Sequence, residues 1–407
     1  MWALAWRNIW RQRGRSLITA AVVAFVVASA LAYFGLLEAF KNGLFQRLTE
    51  GAGHISVRVK GYRDIREFDR LLIRDAGSVQ STLRAVAQGA EVKALLEVPA
   101  LLAGEERSRG VGLLGERAPA GQLQRFGERY LREGRLPDAE ALDEIALGQA
   151  LAKALDVRLG ETVYAFAPGT GGAGAMAYRL VGLLDLPEQS LEARFAYLPL
   201  PAAQALTVPG ATTEFQVYLP GLRRLVDEVR IDPLRAEIAS RLGGALSVEH
   251  WREANPSMAS YIGIIDPTIL LFDALFFLLA GLLLVNTIYL GLTERIGEFG
   301  TIIALGATRW KVMQMVVLES LVLVWSGGLV GFVLGLGIIS RMSRGFSLPN
   351  AESYAEFGTP LVMYGAITLE QVLITLAFVL ATAILAALWP AWLAGRLQPV
   401  EAMRHTA

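Results

Sequence analysis

Apolar and polar positions along this chain fall into two regimes. In four windows, Leu17–Leu37, Ala274–Leu292, Ser320–Ser340 and Gln371–Gly395, no charged residue interrupts the apolar run. Each is about 19 residues or longer, enough for a helix to cross roughly 30 Å of hydrocarbon. Elsewhere, and above all over residues 38–273, apolar and polar residues mix as they do in water-soluble domains. The pattern predicts one span, a large domain, and then three spans.

Inside the domain the periods change repeatedly. The first span is predicted to continue as helix to about Thr49 through "EAFKNGLFQRLTE". In "HISVRVKGY", Ile55, Val57 and Val59 alternate with polar residues, the pattern of a half-buried strand. Residues 76–135 read as mixed helix and short strands, such as "SVQSTLRAVAQ" and "VKALLEV". A compact unit over 135–210 follows. Its "EIALGQALAKALDVRLGETVYAF" reads as strand, short helix, turn and strand, with Gly160 closing the helical part, and "YRLVGLLD" and "FAYLPLPAAQAL" continue it. "PGTGGAGAM" (Pro168–Met176) reads as a flexible hairpin tip; as a phosphate cradle it lacks a following helix N-terminus and a lysine. "TTEFQVYLP" and "ALSVEHW" read as strands around the helical "LRRLVDEVRIDPLRAEIASRL". The domain is therefore α+β.

Composition supports this division. The 407 residues are 54% apolar with a mean hydropathy of +0.43, too greasy for an ordinary soluble protein and too polar to be membrane throughout. Net charge is zero, which points away from nucleic acid. Cysteine is absent, which excludes disulfides and cysteine-ligated metals. Residues 1–16, "MWALAWRNIWRQRGRS", hold four arginines and no acid; Arg295, Arg309 and Lys311 follow span two, and Arg396 and Arg404 follow span four. By the positive-inside rule both termini are cytoplasmic and the large domain is extracytoplasmic. The first apolar run extends to Leu37, longer than a signal peptide's, and Trp2, Trp6 and Trp10 share one helical face. Residues 1–16 therefore read as an amphipathic helix in the interface beside a retained span.

Catalytic chemistry is not indicated. No lysine follows a glycine, so a Walker A loop is absent, and neither G-x-S-x-G nor H-E-x-x-H occurs. His54, His250 and His405 are scattered over both predicted sides of the membrane and form no metal site. Polar residues do lie within the spans: Asp273, Asn286 and Glu319. Such residues mark function by default, although Asp273 and Glu319 sit near opposite interfaces where water reaches them. Gly327, Gly331 and Gly335, with Gly328 and Gly337 beside them, make a small-residue face that admits a second helix backbone. The spacing leaves open whether that helix belongs to the same chain or to a second copy.

The connection between spans two and three, "LTERIGEFGTIIALGATRWKVMQM" (Leu292–Met315), is the most informative stretch. Ile296, Phe299, Ile302, Ile303 and Leu305 recur at helical intervals, Glu294, Arg295 and Glu298 are on the more polar side, and Gly306 breaks the helix before the next span. Composition alone leaves two readings, a lever held at both ends by membrane helices or a helix resting on headgroups. The stretch resembles the signature E-R-x-R-E-x-G-x-x-x-A-x-G-A of ABC permeases of the MacB, LolC/LolE and FtsX group, here Glu294, Arg295, Glu298, Gly300, Ala304, Gly306 and Ala307. "MWALAWRNIWRQRGRS", "VLESLVLVWSGGLVGFVLG" and "WPAWLAGRLQPVEAMR" resemble the group's start, third span and ending, and "EIALGQALAKALDVRLGETV" resembles part of its MacB-like domain. Gly297 and Ile303 depart from the group's usual arginines and make the motif less basic.

The resemblance, closest in character to LolE-like permeases because no ATPase domain is fused, implies the following. The chain is an α-helical membrane protein with four transmembrane helices (1+3) and a large α+β extracytoplasmic MacB-like periplasmic core domain between the first two. Residues 1–16 are the amphipathic helix, 17–49 the first span and stalk, 50–265 the domain with 135–210 as an inserted subdomain, and 266–292 the second span. Residues 293–311 are a cytoplasmic coupling helix, 312–340 and 369–395 the last spans, 341–368 a short outer loop and 396–407 a cytoplasmic tail. Glu294, Arg295, Glu298, Phe299, Gly300, Ile303, Ala304, Gly306 and Ala307 would meet an ABC ATPase subunit, present in two copies and carrying ATP and Mg. The chain itself would hold no cofactor. A second permease, identical or homologous, a lipoprotein or periplasmic carrier, and membrane lipids are the other implied partners. The implied place is the bacterial inner membrane, and the implied work is lipoprotein release or export of a hydrophobic substrate. An antibiotic- or peptide-sensing permease working with an ATPase is the alternative.

Overall fold

A computed structural model describes residues 13–169, 172–186, 189–294, 296–347, 349 and 362–395. Residues 1–12, where the sequence predicts the tryptophan-bearing amphipathic helix, the tail and most of the stretch between the last two spans lie outside the described residues. By their contacts the residues form two units.

The first unit is helical. Helix α1 (Arg13–Ala52) begins in it, and α9 (Pro256–Thr293), α10 (Ile296–Ala304), α11 (Arg309–Met342) and α12 (Leu369–Gly395) complete it. Among the described residues, four helices are long and apolar enough to cross a membrane: α1, α9, α11 and α12. Val23, Val27, Leu31, Leu284, Val324, Ile339, Ala383 and Ala386, drawn from all four, form one buried cluster. Between α1 and α11 the backbones nearly touch. A Cβ added at Gly327 would lie 2.5 Å from the Ala20 carbonyl oxygen, one at Gly331 2.4 Å from that of Ala24, and one at Gly335 2.8 Å from Leu31 Cβ. This glycine face thus packs within the chain.

The second unit runs over residues 44–259 and carries a ten-stranded sheet. Strand β1 (Ile55–Val59) lies between β10 (Leu246–His250) and β9 (Glu214–Tyr218), all antiparallel. Helices α2 (Ala76–Val86) and α7 (Ile231–Leu242) pack together there through their buried Leu83 and Ile238 faces. Strand β2 (Glu91–Ala103) pairs with β9 over Glu91–Leu95 and continues past it to pair with β6 (Thr162–Gly169) over Leu101–Ala103. Its whole outer length also pairs with β3 (Ser108–Arg117). These are long strands where the sequence pattern predicts short ones.

From β2 the pairing returns on itself. Strand β3 pairs with β8 (Phe195–Pro199), β8 with β5 (Glu144–Gly148), β5 with β7 (Gly172–Leu184), β7 with β6, and β6 with β2. The closed ring leaves those strands without a free edge for other chains to pair with. Alternation is strict on β6: Val163, Ala165 and Ala167 are buried, whereas Thr162, Tyr164 and Phe166 are exposed. The strands of 135–210 therefore share their ring with β2 and β3, which come from outside that span. Strand β4 (Leu131–Gly134) adds to β7, and helix α3 (Ala120–Tyr130) precedes it.

Two local expectations change. Helix α4 (Gln149–Leu155) ends at Asp156, not Gly160. Asp156 adopts φ 57°, and Val157 N–H bonds the Ala152 carbonyl at 3.1 Å, a left-handed cap formed by aspartate in place of glycine. The "PGTGGAGAM" run is mostly ladder, pairing through Pro168↔Ala173 and Gly169↔Gly172. Gly174 is small because the Leu206 carbonyl at the end of helix α6 (Leu200–Leu206) would lie 1.9 Å from its Cβ. Close approach, more than flexibility, selects glycine there. Helix α5 (Gln189–Glu192) completes the connection before β8.

Where α1 enters this unit, Phe45 is fully buried, edge-on to Trp251 at 5.4 Å at the start of helix α8 (Trp251–Ala254). His54 is also buried, and its Nδ1 accepts the Leu219 N–H at 2.9 Å. Burial pushes its pKa down to about 4.

The fold generates two predictions. Gly331→Val is expected to destabilise the purified protein by at least about 2 kcal/mol in thermal denaturation, because the obstructing atoms are backbone. Gly337→Ala, where an added Cβ meets nothing within 4 Å, is expected to be neutral. His54 resists protonation in the folded chain, so its contribution is full above the unfolded pKa of ~6.5 and lost as pH falls toward 4. At pH 5 the loss is about 2 kcal/mol, and the pH dependence of the melting temperature between 6.5 and 5 becomes shallower in His54→Asn.

Candidate functional site

Helix α10 is bounded by two different devices. Its start follows directly on α9, which ends at Thr293. Its end is a Schellman motif: Ala307 N–H bonds the Ile302 carbonyl at 3.2 Å and Gly306 N–H that of Ile303 at 3.0 Å, with Gly306 at φ +96°. Thr308 then occupies the N-cap of α11 with extended backbone, and Lys311 N–H reaches its carbonyl at 2.9 Å. A nine-residue helix is marginal alone in water, so packing must hold it.

Phe299 supplies that packing. It is 1% exposed and buried with Val312, Met315 and Val316 of α11, while Ile288 of α9 and Ile303 of α10 pack against the same cluster. One ring thus ties α10 to the end of one span and the beginning of the next. The predicted apolar face therefore splits in two. Phe299 and Ile303 turn toward the neighbouring helices, whereas Ile302 is 37% exposed and Leu305 84%. Ala304 is exposed, Ala307 half-buried, and Gly300 lies in the helical backbone. Glu294 is exposed and Glu298 half-buried. Arg295 lies outside the described residues.

Of the intramembrane polar residues, Asn286 is exposed on α9 and Glu319 half-buried on α11; the side chain of Asp273, also on α9, lies outside the described set. Among the described residues no group of His, Cys, Asp and Glu is arranged to hold a metal ion. Sequence reasoning passed over the outward position of Ile302 and Leu305, which share the helical period of the buried residues. It also passed over Glu38, Lys41, Asp266 and Gln371, which the fold brings together. Their signal was a Glu and a Lys three apart, immediately after a charge-free window.

Comparison with known proteins matches two family models. Residues 16–240, more than half of the chain, match the MacB-like periplasmic core domain, and residues 270–399 match the FtsX-like permease C-terminal model. The lipoprotein-releasing system transmembrane protein LolC of Xylella fastidiosa (strain Temecula1) is 21% identical over 406 residues, covering 94% of this chain and 92% of that protein. The macrolide export ATP-binding/permease protein MacB of Azoarcus sp. (strain BH72) is 31% identical over 196 residues, covering 46% of this chain and only 27% of that protein. Among solved structures, the periplasmic region of MacB from Actinobacillus actinomycetemcomitans aligns with a TM-score of 0.35 and 17% identity, covering 52% of this chain and 95% of that one.

The packing of α10 sets a measurable expectation. Phe299→Ala removes the ring that fixes the helix, a loss of about 3 kcal/mol or more, equivalent to roughly two orders of magnitude in local opening. Cleavage within 294–308 by a broad-specificity protease is expected to accelerate accordingly, with the spans left intact.

Proposed function

We propose that this chain, which belongs to the FtsX-like permeases and carries a MacB-like periplasmic core domain, converts ATP-driven pressure on α10 into movement of its membrane helices. The family is that of ABC-transporter permeases, and the chain is a membrane protein with four candidate spans. The ATPase is a separate subunit in this reading; within these 407 residues no lysine follows a glycine as a Walker A loop requires. ATP and Mg belong to that subunit, in two copies, beneath two permeases that are identical or homologous. The chain lies in the bacterial inner membrane with both termini and α10 on the cytoplasmic side.

One observation carries the proposal: α10 is fixed on one face and open on the other. Phe299 is seated against α11 and α9, while Ile302 and Leu305 are exposed at the surface. A lone exposed leucine needs no explanation, but one at the end of a helix braced from behind is suited to fit a partner's groove. Helix end, Schellman turn and next helix start follow within a few residues, so a push on Leu305 reaches α11 with little slack. Ile302 and Leu305 make this face apolar, and Gly297 makes the helix less basic than the family's signature, which favours a more apolar groove on the ATPase. The energetic requirement is that ATP-bound and ATP-free subunits differ in affinity for two permease states. About 5.5 kcal/mol of difference moves a population from 1:99 to 99:1.

The substrate reading follows the end-to-end likeness to LolC: release of a lipoprotein or another amphipathic molecule from the outer leaflet, with a periplasmic carrier to receive it. The MacB likeness covers less than half of the chain and supports export of a hydrophobic compound less directly.

The test places a charge on the open face. Leu305→Glu and Glu298→Lys are expected to insert normally and to retain their spans. Co-purification of the cognate ATPase, or stimulation of its turnover, should fall at least tenfold in both. Wild-type co-purification and turnover in the two variants would overturn the reading.

A further inference from the structure

At the end of the spans remote from α10, three helices meet through charged and amide groups. Lys41 of α1 lies 3.0 Å from Glu38, one turn earlier, and 2.7 Å from Asp266 of α9. Glu38 also accepts a hydrogen bond from the Gln371 side-chain amide of α12 at 3.1 Å. Gln371 is itself fixed. Thr368 N–H donates to its side-chain oxygen at 2.9 Å, and the Thr368 hydroxyl accepts the Gln371 N–H at 3.3 Å, a capping box at the start of α12. Lys41 and Glu38 are buried, whereas the Asp266 side chain is 66% exposed.

The clasped residue adjoins the weakest turn of α9. Pro267 stands inside the helix and has no N–H to offer the carbonyl of Gly263, four residues earlier. The next carbonyl, that of Ile264, is shared with the Thr268 hydroxyl at 2.8 Å, a bond that loosens and bends helices. Gly263 adds backbone freedom, and no neighbour would meet a Cβ there within 4 Å. Beyond this turn the spanning part is held differently. Tyr33 of α1 packs edge-on against Phe272 and Phe276, and Phe277 stacks on Phe378 of α12 at 5.3 Å.

We infer that residues 263–267 are a hinge in α9 and that Lys41, held by Glu38, which Gln371 holds in turn, is the clasp that keeps it closed through Asp266. With the clasp engaged, the first turns of α9 move with α1; released, they pivot while the aromatic contacts hold the span. Asp266 reaches water when it lets go, and Glu38 keeps its amide partner, so the device opens without stranding a carboxylate.

Hydrogen–deuterium exchange on the purified full-length chain tests this without any ATPase, so it fails or succeeds independently of the proposed function. Lys41→Met is expected to raise exchange of amides 260–266 at least tenfold and to leave 268–293 within twofold of wild type. Asp266→Asn, at an exposed position that folding tolerates, should act in the same direction. Adding Pro267→Ala to either variant should return 260–266 to within twofold of wild type, because the repaired helix no longer needs the clasp. Unchanged exchange in both single variants, a rise spread over all of α9, or a rise that persists with Pro267→Ala would each overturn the inference.

Discussion

The contact on which the helical unit depends is the meeting of two backbones, α11 at Gly327, Gly331 and Gly335 with α1 at Ala20, Ala24 and Leu31. In hydrocarbon, helices gain nothing from hiding apolar side chains from one another. They associate because small residues let long stretches of backbone and Cα atoms come into dispersion contact. The seam is unforgiving, since a carbonyl oxygen cannot rotate aside as a side chain can. It makes α1 and α11 one stiff body. The socket for Phe299 is at the beginning of α11, and the Glu38–Lys41 pair is near the end of the α1 span. A displacement of α10 therefore has a continuous packed route to the clasp on α9.

Much of this architecture could be read before the structure, for a definite reason. Spans announce themselves because a single charge in hydrocarbon is expensive, so the windows are bare of Asp, Glu, Lys and Arg. Strands announce themselves by alternation in the sequence, as Ile55, Val57 and Val59 do, although in β1, paired on both sides, Ser56 is buried as well and Val59 only partly so. What stayed hidden depends on distant partners. Strand β2 contains Pro99, and proline argues against a central strand. Yet Pro99 falls where β2 pairs with β3 alone, after leaving β9 at Leu95 and before meeting β6 at Leu101. The closed ring is likewise a matter of which strands find each other across long loops, and no local period records it. Asp156 as a helix end was masked by the stronger expectation for Gly160, since few side chains other than Asn and Asp accept positive φ.

The candidate site divides the same way. The motif fixed the place of α10 and its Gly306 stop, because a Schellman turn demands a residue tolerant of φ near +96°. The direction of each apolar residue did not follow. Phe299, Ile302 and Ile303 sit within four residues of one another on a short helix, and only the position of α11 decides which of them is buried. The Glu38–Lys41–Asp266 cluster was invisible for a related reason. As sequence, Glu38 and Lys41 look like a solvated i, i+3 pair on a stalk. They become a junction only when α9 and α12 bring Asp266 and Gln371 to them.

Stiff seam and charged clasp also differ in how they respond to a modest force. Packing against backbone is lost only if two helices separate along their length, so its cost rises with every residue and it stays shut. A buried ion pair is different, because attraction and desolvation nearly cancel and its net contribution while intact is small. Opening one is costly mainly when a charge is left buried without a partner. Here Asp266 already faces water and Glu38 retains the Gln371 amide, so the expense falls on Lys41 alone. Lys41 in turn keeps Glu38 at 3.0 Å. A bias of a few kcal/mol, enough to shift a two-state population, is too small to part the glycine seam, yet of the right order to release Asp266. The helical unit is thus built to yield at one end of α9 and to hold everywhere between that end and α10.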